Sequence, residues 1–339
     1  MTIAPAEVLQ AWSEVFSSPV ITELTPGRVW AVATERGDRY VLKKVSTFGA
    51  PDPVRRFAAE ARILAFLLQR GVPVAVPVLS DDGRACATDD DGAPHAVFPM
   101  LPRGGAHHGP ELDPALFQNV GAAIARLHVA LAGCPFGFES WEVGPAVLPA
   151  LWRGAEDRLP AAALAGLSAR IRPRWDAMVR ALSTAPQRVH GDVHGGNILT
   201  DGQEVTGIID CDHLPLAPRG YDLGYYMAFA GHWWLDGSQP SRPVGEARCL
   251  LTGYDAVTRL TRQENHDLPA LALVAALGLI DYFLREHDLV EESWLRTAAW
   301  IDDNFDALRL PESALHAHPG HAEPQSGCAP RADERPSGS

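Results

Sequence analysis

The spacing of apolar positions changes period several times along the chain. Residues 4–16 place Val8, Leu9, Trp12 and Phe16 at helical intervals, with Pro5 where a first helical turn accepts it. Three short runs rich in β-formers follow, 20–24, 29–34 and 40–45, separated by Pro26-Gly27 and Gly37-Asp38, and they predict an antiparallel meander. A helix over 54–69 carries Phe57, Ile63, Leu64, Phe66 and Leu67 as its apolar positions. Further short strands around 76–79, 84–88 and 95–98 would complete a small sheet. Residues 99–110, rich in Pro, Gly and His, read as a connector.

Beyond the connector the period is mostly helical, over 114–131, 147–159, 161–182, 221–230, 245–260, 269–287 and 291–308. A β-like stretch at 188–189, 198–199 and 205–209 interrupts these helices. The apolar run 268–280 is closed by Asp267 and Asp281 and is too short to span a bilayer, so it predicts a buried helix. Residues 311–339, including His316, His318 and His321, cannot bury enough apolar area to order themselves and are expected to form a disordered tail. The expected organisation is an α+β chain of two lobes, a β-rich one over 1–99 and a larger helical one over 100–310, with no internal repeat.

Candidate chemistry concentrates in His190-Gly191-Asp192-Val193-His194-Gly195-Gly196-Asn197, followed by Asp210 in Ile208-Ile209-Asp210-Cys211-Asp212. A carboxylate and a carboxamide in one tight glycine-rich loop can face a common site. A second carboxylate after a strand can share a hard cation with the amide, since oxygen donors suit Mg²⁺, which keeps waters and phosphates in its shell. The other Asp is then free to accept a proton from a hydroxyl, a set that fits phosphoryl transfer. A turn between strands also uses Gly, Asp and Asn, but it does not account for Asp210 at its interval or for a β lobe ahead of a helical one.

His190 to Asn197 resembles the HGDxHxxN loop of the aminoglycoside phosphotransferase and choline kinase superfamily, small-molecule relatives of protein kinases. Gly220-Tyr221-Asp222-Leu223-Gly224 resembles the element that opens the next helix in that family, and the helix ending in Leu127-His128 resembles the one before its catalytic loop. The resemblance covers about residues 20–310 and implies a protein-kinase-like bilobal fold. It implies Asp192 as the base, Asn197 and Asp210 as Mg²⁺ ligands, and Lys43 on the phosphates of ATP or GTP with Glu60 as its partner. The adenine hinge would fall at Pro99, Met100 and Leu101. Asp222 would brace the loop, His190 and His194 would be scaffolding, and Asp212 would meet a second metal, a water or a structural hydrogen bond. Strand alternation puts Val41 and Lys43 on one face and Leu42 and Lys44 on the other. The glycine-rich phosphate loop of protein kinases is absent, with only Gly27 in the first hairpin, and no Ala-Pro-Glu segment follows Asp210. Both departures count against a Ser/Thr protein kinase. A pseudokinase acting as a binding module would be expected to lack one of Lys43, Asp192, Asn197 or Asp210, and all four are present.

Composition sharpens this picture in two places. The 339 residues hold 29 Lys+Arg against 42 Asp+Glu, a net charge of −13, which argues against a general nucleic-acid binder. Residues 191–310 alone hold 19 Asp+Glu and 8 Arg, a difference of −11. That surplus is either an acidic cleft for an amine-bearing acceptor or a set of ordinary helix charges. His232-Trp233-Trp234 is likewise either an acceptor-stacking patch or core. Second, 27 of the 29 cations are Arg, and the only lysines are Lys43 and Lys44. Either an Ala- and Arg-rich chain has replaced Lys by Arg wherever any cation serves, or a surviving ammonium sits where guanidinium does not substitute. Lys43 fits such a place and Lys44 has no such account.

Five dispersed cysteines without CxxC spacing suggest neither a disulfide framework nor a zinc site, and residues 1–12 lack the pattern of a leader. A reduced, cytoplasmic setting without a membrane partner is expected. The leading expectation is an ATP-dependent O-phosphotransferase acting on a small hydroxyl compound such as an aminoglycoside or related antibiotic. The alternative is a metabolic kinase for a homoserine- or choline-like amino alcohol, or a Ser/Thr protein kinase of the same fold.

Overall fold

The structure is a computed structural model and describes residues 5–46, 50–102, 113–138, 140–234, 242–286 and 292–315. A short helix α1 (Pro5–Val8) and a 3-10 turn (Leu9–Trp12) seat Trp12 against the first sheet. That sheet comprises β1 (Val20–Thr25), β2 (Val29–Ala33), β3 (Arg39–Lys44), β4 (Ala87–Thr88) and β5 (Pro94–Pro99), in the order β1-β2-β3-β5-β4 with antiparallel pairing. Residues 76–79 make only a bridge, Val78 to Val97, and no strand of their own. Alternation along β3 sends Leu42, fully buried, into the core with Trp30 and Val97. Lys43 emerges on the opposite face.

Helix α2 (Pro53–Gln69) starts on an Asp52 cap, whose carboxylate accepts from Arg55 N–H, with Pro53 in the first turn. Its inner face, Ile63, Leu64 and Leu67, joins the large hydrophobic core of the helical region. Its outer face is held there as well. Arg62 lies 4.2 Å over the Phe136 ring and Arg56 4.6 Å over Phe138, while Arg188 sits 4.7 Å from Phe138. The β-rich and helical parts are therefore fastened along α2 by both apolar and cation–π contacts.

The helical part contains α3 (Pro114–Ala132), α4 (Leu148–Arg158), α5 (Ala161–Ile171), α6 (Trp175–Leu182), α7 (Gly220–Trp234), α8 (Arg242–Val257), α9 (Arg262–Glu286) and α10 (Glu292–Asp303). Among them lie β6 (Gln187–Arg188), β7 (Ile198–Asp201), β8 (Glu204–Ile208) and β9 (Leu216–Ala217), paired β6 with β9 and β7 with β8. Two helix boundaries differ from the periodic pattern for identifiable reasons. Pro173 replaces a continuous helix over 161–182 with α5, a 3-10 turn and α6, because its ring and missing N–H break the ladder. Helix α9 begins earlier than 269, at a reciprocal cap in which Glu264 N–H donates to Thr261 Oγ1 (3.1 Å) and Thr261 N–H donates to Glu264 Oε2 (2.8 Å). The chain also remains packed past 311: Leu315 is buried, and its carbonyl accepts from Arg259 Nη1, so the expected tail does not begin at Pro311. The rest of that stretch, 316–339, lies outside the described residues.

By length and composition, α3 and α9 could each cross a membrane, but both are packed against other helices, and 83% of the apolar window of α9 is buried. Helix α9 is the central post against which α7 stands. The two approach so closely at Gly224 that a Cβ there would lie 2.7 Å from the Ala272 amide nitrogen. Only glycine permits that contact, and it sets the position of α7 and the side chains it sends toward the loop before β7. Cys86, Cys134, Cys211 and Cys249 are free thiols.

Candidate active site

The glycine-rich loop runs from the end of β6 to the start of β7. Gly191 is at φ +85°, and a Cβ there would strike Pro215 Cδ at 2.5 Å, so the tight entry to the loop requires glycine. Asp222, fully buried at the start of α7, accepts both amides of this entry. His190 N–H reaches Oδ2 and Gly191 N–H reaches Oδ1, each at 2.8 Å. His128 Nε2 lies 2.8 Å from Oδ2, and its Nδ1 is 2.9 Å from the Tyr254 hydroxyl. A carboxylate can only accept, so Nε2 carries the proton shared with Asp222. Burial opposes ionisation of Asp222, yet the His128 hydrogen bond and charge, His190 and the Gly191 amide hold its pKa below the usual carboxylate value.

His190 is equally constrained. Its Nε2 lies 2.9 Å from the Ile209 carbonyl and its Nδ1 accepts Asp192 N–H (3.2 Å), so both ring nitrogens tie the loop to the end of β8. Burial works against its charge, but Cys211, Asp222 and Asp192 outweigh this and push its pKa up to about 10. His194 stacks on Phe229 with centroids 4.5 Å apart, and its Nδ1 accepts Gly196 N–H. Burial pushes the His194 pKa down, against the nearby charges of Asp192 and Asp210. Both histidines therefore shape the loop.

Asp192 stands at the centre of this frame. Its Oδ2 accepts Asn197 Nδ2 at 2.9 Å and its Oδ1 accepts the Tyr225 hydroxyl at 2.7 Å. Asn197 Nδ2 also donates to the Asp192 carbonyl at 2.9 Å, so the amide nitrogen is committed to the loop. Asp210 follows β8 at φ +60°, a left-handed conformation that Asp tolerates better than most residues. Lys43 Nζ reaches across from β3 to Asp210 Oδ1 (2.8 Å) and Asp212 Oδ2 (3.2 Å). Burial works against the ammonium charge, but Asp212 and Asp210 outweigh it and hold the Lys43 pKa well above its ordinary value. Burial likewise raises the Asp210 pKa, and Lys43 more than reverses this.

The expected Lys43–Glu60 pair does not form. Glu60 instead lies 3.5 Å from Arg56 one turn earlier on α2, while Arg56 Nη2 donates to the Asp212 carbonyl at 2.7 Å. Two carboxylates at the end of β8 lie closer to Lys43 and outcompete the helix. Glu60 is left buried, with its pKa raised by that burial and by the charge of Asp212, against Arg56 and Lys43. Lys44, on the other face, lies 3.6 Å from Asp89.

Pro99 ends β5, paired with Tyr40, and Met100 N–H donates to the Arg39 carbonyl at 2.9 Å. Leu101 follows, and the Pro102 carbonyl accepts Thr206 Oγ1, which ties the connector to the β7–β8 hairpin. Several acids counted in the surplus over 191–310 have structural partners. Glu264 pairs with Arg219, Glu246 with Arg242, Asp281 with Arg285, and Asp302 with Arg170 and Arg174. His232 stacks on the buried Trp294 at 3.8 Å, while the side chains of Trp233 and Trp234 lie outside the described residues.

Tyr225, Tyr254 and Arg56 are site residues that sequence reasoning did not single out, and His128 was read only as the end of a family-like helix, without its role on Asp222. Tyr225 had a signal, because it stands three residues after Asp222 and so shares its helix face. His128 had one too, as a polar side chain among Ile124, Leu127 and Leu131 that must find a partner when buried.

The β-rich and helical halves and the loop with its trailing carboxylate define a kinase, a phosphotransferase that acts on a hydroxyl group of a small molecule. The model of the phosphotransferase enzyme family (APH) matches residues 25–257, and the chain belongs to that family. A homoserine kinase of Methylobacillus flagellatus is 28% identical over 257 residues, covering 73% of this chain and 72% of the relative. Among solved structures, a microcompartment-associated aminopropanol kinase aligns with a TM-score of 0.66 at 21% identity, covering 89% of this chain and 97% of the other. An amicoumacin kinase in complex with AMP-PNP, Ca²⁺ and Ami aligns at 0.64 and 19% identity, covering 84% and 88%. These structural likenesses are of fold.

Proposed function

We propose that the chain is a cytoplasmic ATP-dependent O-phosphotransferase whose acceptor is a small amino alcohol of the homoserine kind. The observation that carries the phosphotransfer reading is the convergence of Lys43, Asp210 and Asp212 beside the braced Asp192–Asn197 loop. The acceptor class is favoured by relatives named homoserine kinase that match some 70% of the chain's length at the level of sequence. The antibiotic acceptor has support from fold likeness only. Pairing of several acids over 191–310 with arginines, Asp302, Glu264 and Glu246 among them, also weakens the argument for a polycationic antibiotic.

The donor set suits a hard divalent cation such as Mg²⁺. Asn197 commits its nitrogen to Asp192, which leaves its carbonyl oxygen as a ligand, and the Asp210 side chain is 42% exposed beside Lys43. When bound by Asn197 and Asp210, Mg²⁺ would neutralise charge on the transferring phosphates. Lys43 holds the nucleotide phosphates. Met100 N–H is spent on β3, so strand alternation directs the Pro99 carbonyl and the Leu101 amide to the opposite edge, where they read the base. The acceptor oxygen attacks the γ-phosphorus, its proton passes to Asp192, and the bond to the ADP oxygen breaks with its electron pair.

The test is ADP release with Mg·ATP and Mg·GTP against homoserine, aminopropanol, ethanolamine, choline and aminoglycosides, with product mass confirmed. Homoserine or a similar amino alcohol should give the highest kcat/KM. Turnover confined to aminoglycosides would sink the acceptor assignment. Lys43→Ala should lower kcat/KM for ATP by about a hundredfold, as expected for loss of a positioned cation at transferring phosphates. Lys44→Ala, which loses only a half-exposed ion pair, should stay within about twofold. A reversed order would show that the other face of β3 meets the nucleotide.

A further inference from the structure

We propose that Tyr225 is a positioning residue of phosphoryl transfer, holding the Asp192 carboxylate in its reactive orientation through the hydrogen bond from its phenol. The inference rests on the role assigned to Asp192 above.

The geometry argues for this in three ways. First, Asp192 lies in a loop containing three glycines, where His194 Nε2 stands 3.8 Å from its Oδ1, beyond hydrogen-bond reach. Its two oxygens are each claimed by one donor, Asn197 Nδ2 on Oδ2 and Tyr225 O–H on Oδ1. Two donors from opposite sides define the carboxylate plane, and the remaining lone pairs define the direction from which an acceptor hydroxyl can arrive. Second, the phenol is itself pre-placed. Its ring lies between Tyr221 (6.0 Å) and Phe229 (5.3 Å), one turn away on either side of α7, and Phe229 stacks on His194 of the same loop. Third, α7 is registered against the loop by Asp222 one turn earlier, so the same helix that grips the loop backbone aims the phenol at its working carboxylate. Burial, together with the charge of Asp192, raises the Tyr225 pKa well above its ordinary value, so the phenol remains a donor and never competes for the substrate proton.

A purely structural phenol and a positioning one make different predictions. Tyr225→Phe removes one oxygen and keeps the ring packing. A positioning role predicts a fall in kcat of about ten- to a hundredfold. KM for ATP and acceptor, and binding of a non-hydrolysable ATP analogue, should stay within about twofold. Added to Asp192→Asn, it should cause no further loss, because both act through one carboxylate. Unchanged kcat, a multiplicative loss in the double variant, or a protein too unstable to purify would each overturn the inference. A crystal structure of Tyr225→Phe judges it without any acceptor. The Asp192 carboxylate should lose its orientation, and a carboxylate left in place would overturn the inference. Failure of the wild type to phosphorylate any acceptor would instead count against the phosphotransfer reading, with the Asp192 orientation still deciding the role of Tyr225.

Discussion

Asp192→Asn is expected to reduce kcat by about 10²–10⁴-fold, the range for removing a positioned general base, while nucleotide binding is retained. The substitution is nearly isosteric. An asparagine can present its oxygen to Asn197 Nδ2 and its amide to the Tyr225 oxygen, which can accept as well as donate, so the frame seen here can persist. The variant lacks an atom with proton affinity where the acceptor hydroxyl must lose its hydrogen. Lys43, Asn197 and Asp210, the groups assigned to phosphates and cation, are untouched. Steady-state ADP release and calorimetric binding of an ATP analogue measure the two halves separately. Turnover close to wild type would remove Asp192 from the mechanism, and loss of nucleotide binding would mean that the carboxylate belongs to the nucleotide site.

Much of this arrangement was legible in the chain because the relevant signals are local. The loop from His190 to Asn197, the carboxylate after the next strand and the period-two alternation at Val41-Leu42-Lys43 can all be read without knowing the fold. The structure brings Lys43 to Asp210 across 167 residues, on the face of β3 opposite the buried Leu42, as the alternation predicts. What could not be read is competition between partners. Glu60 occupies the position expected of the lysine's partner, yet Asp212 was equally available in sequence and lies nearer in space. Which carboxylate wins depends on how α2 docks, and that is set by Arg56 and Arg62 over Phe138 and Phe136, contacts with no sequence periodicity. The acidic surplus was opaque for the same reason. Its partners Arg170 and Arg174 lie outside the segment, and only folding shows that those carboxylates hold helices together. Pro173 and the Thr261–Glu264 cap were local signals and marked true helix boundaries.

Asp222→Ala should be the most damaging substitution for the fold of the site. It strands the His190 and Gly191 amides and leaves His128 Nε2–H without its acceptor, all in a region closed to water. Leaving buried donors unsatisfied costs about 1–3 kcal/mol each before relaxation, so a loss of about 3–5 kcal/mol is expected for the group. That is a large fraction of the stability of a typical protein. Asp222→Asn would not rescue it, because one carboxylate oxygen becomes an NH₂ facing donors. The pH dependence carries the same signature. The folded-state pKa of Asp222 is depressed, so its contribution is fully present above the unfolded carboxylate value of about 4 and is lost as pH falls through the lower folded value. Denaturation midpoints measured from pH 7 down to pH 3 should therefore fall at the acid end in the wild type. In the alanine variant they should start lower and change less, because this contribution is already missing. Activity should fall with the loop, since the amides that Asp222 holds flank Asp192 directly. A variant with wild-type midpoint and slope would mean that the loop keeps its shape without the carboxylate, and the brace from α7 to the catalytic loop would have to be abandoned.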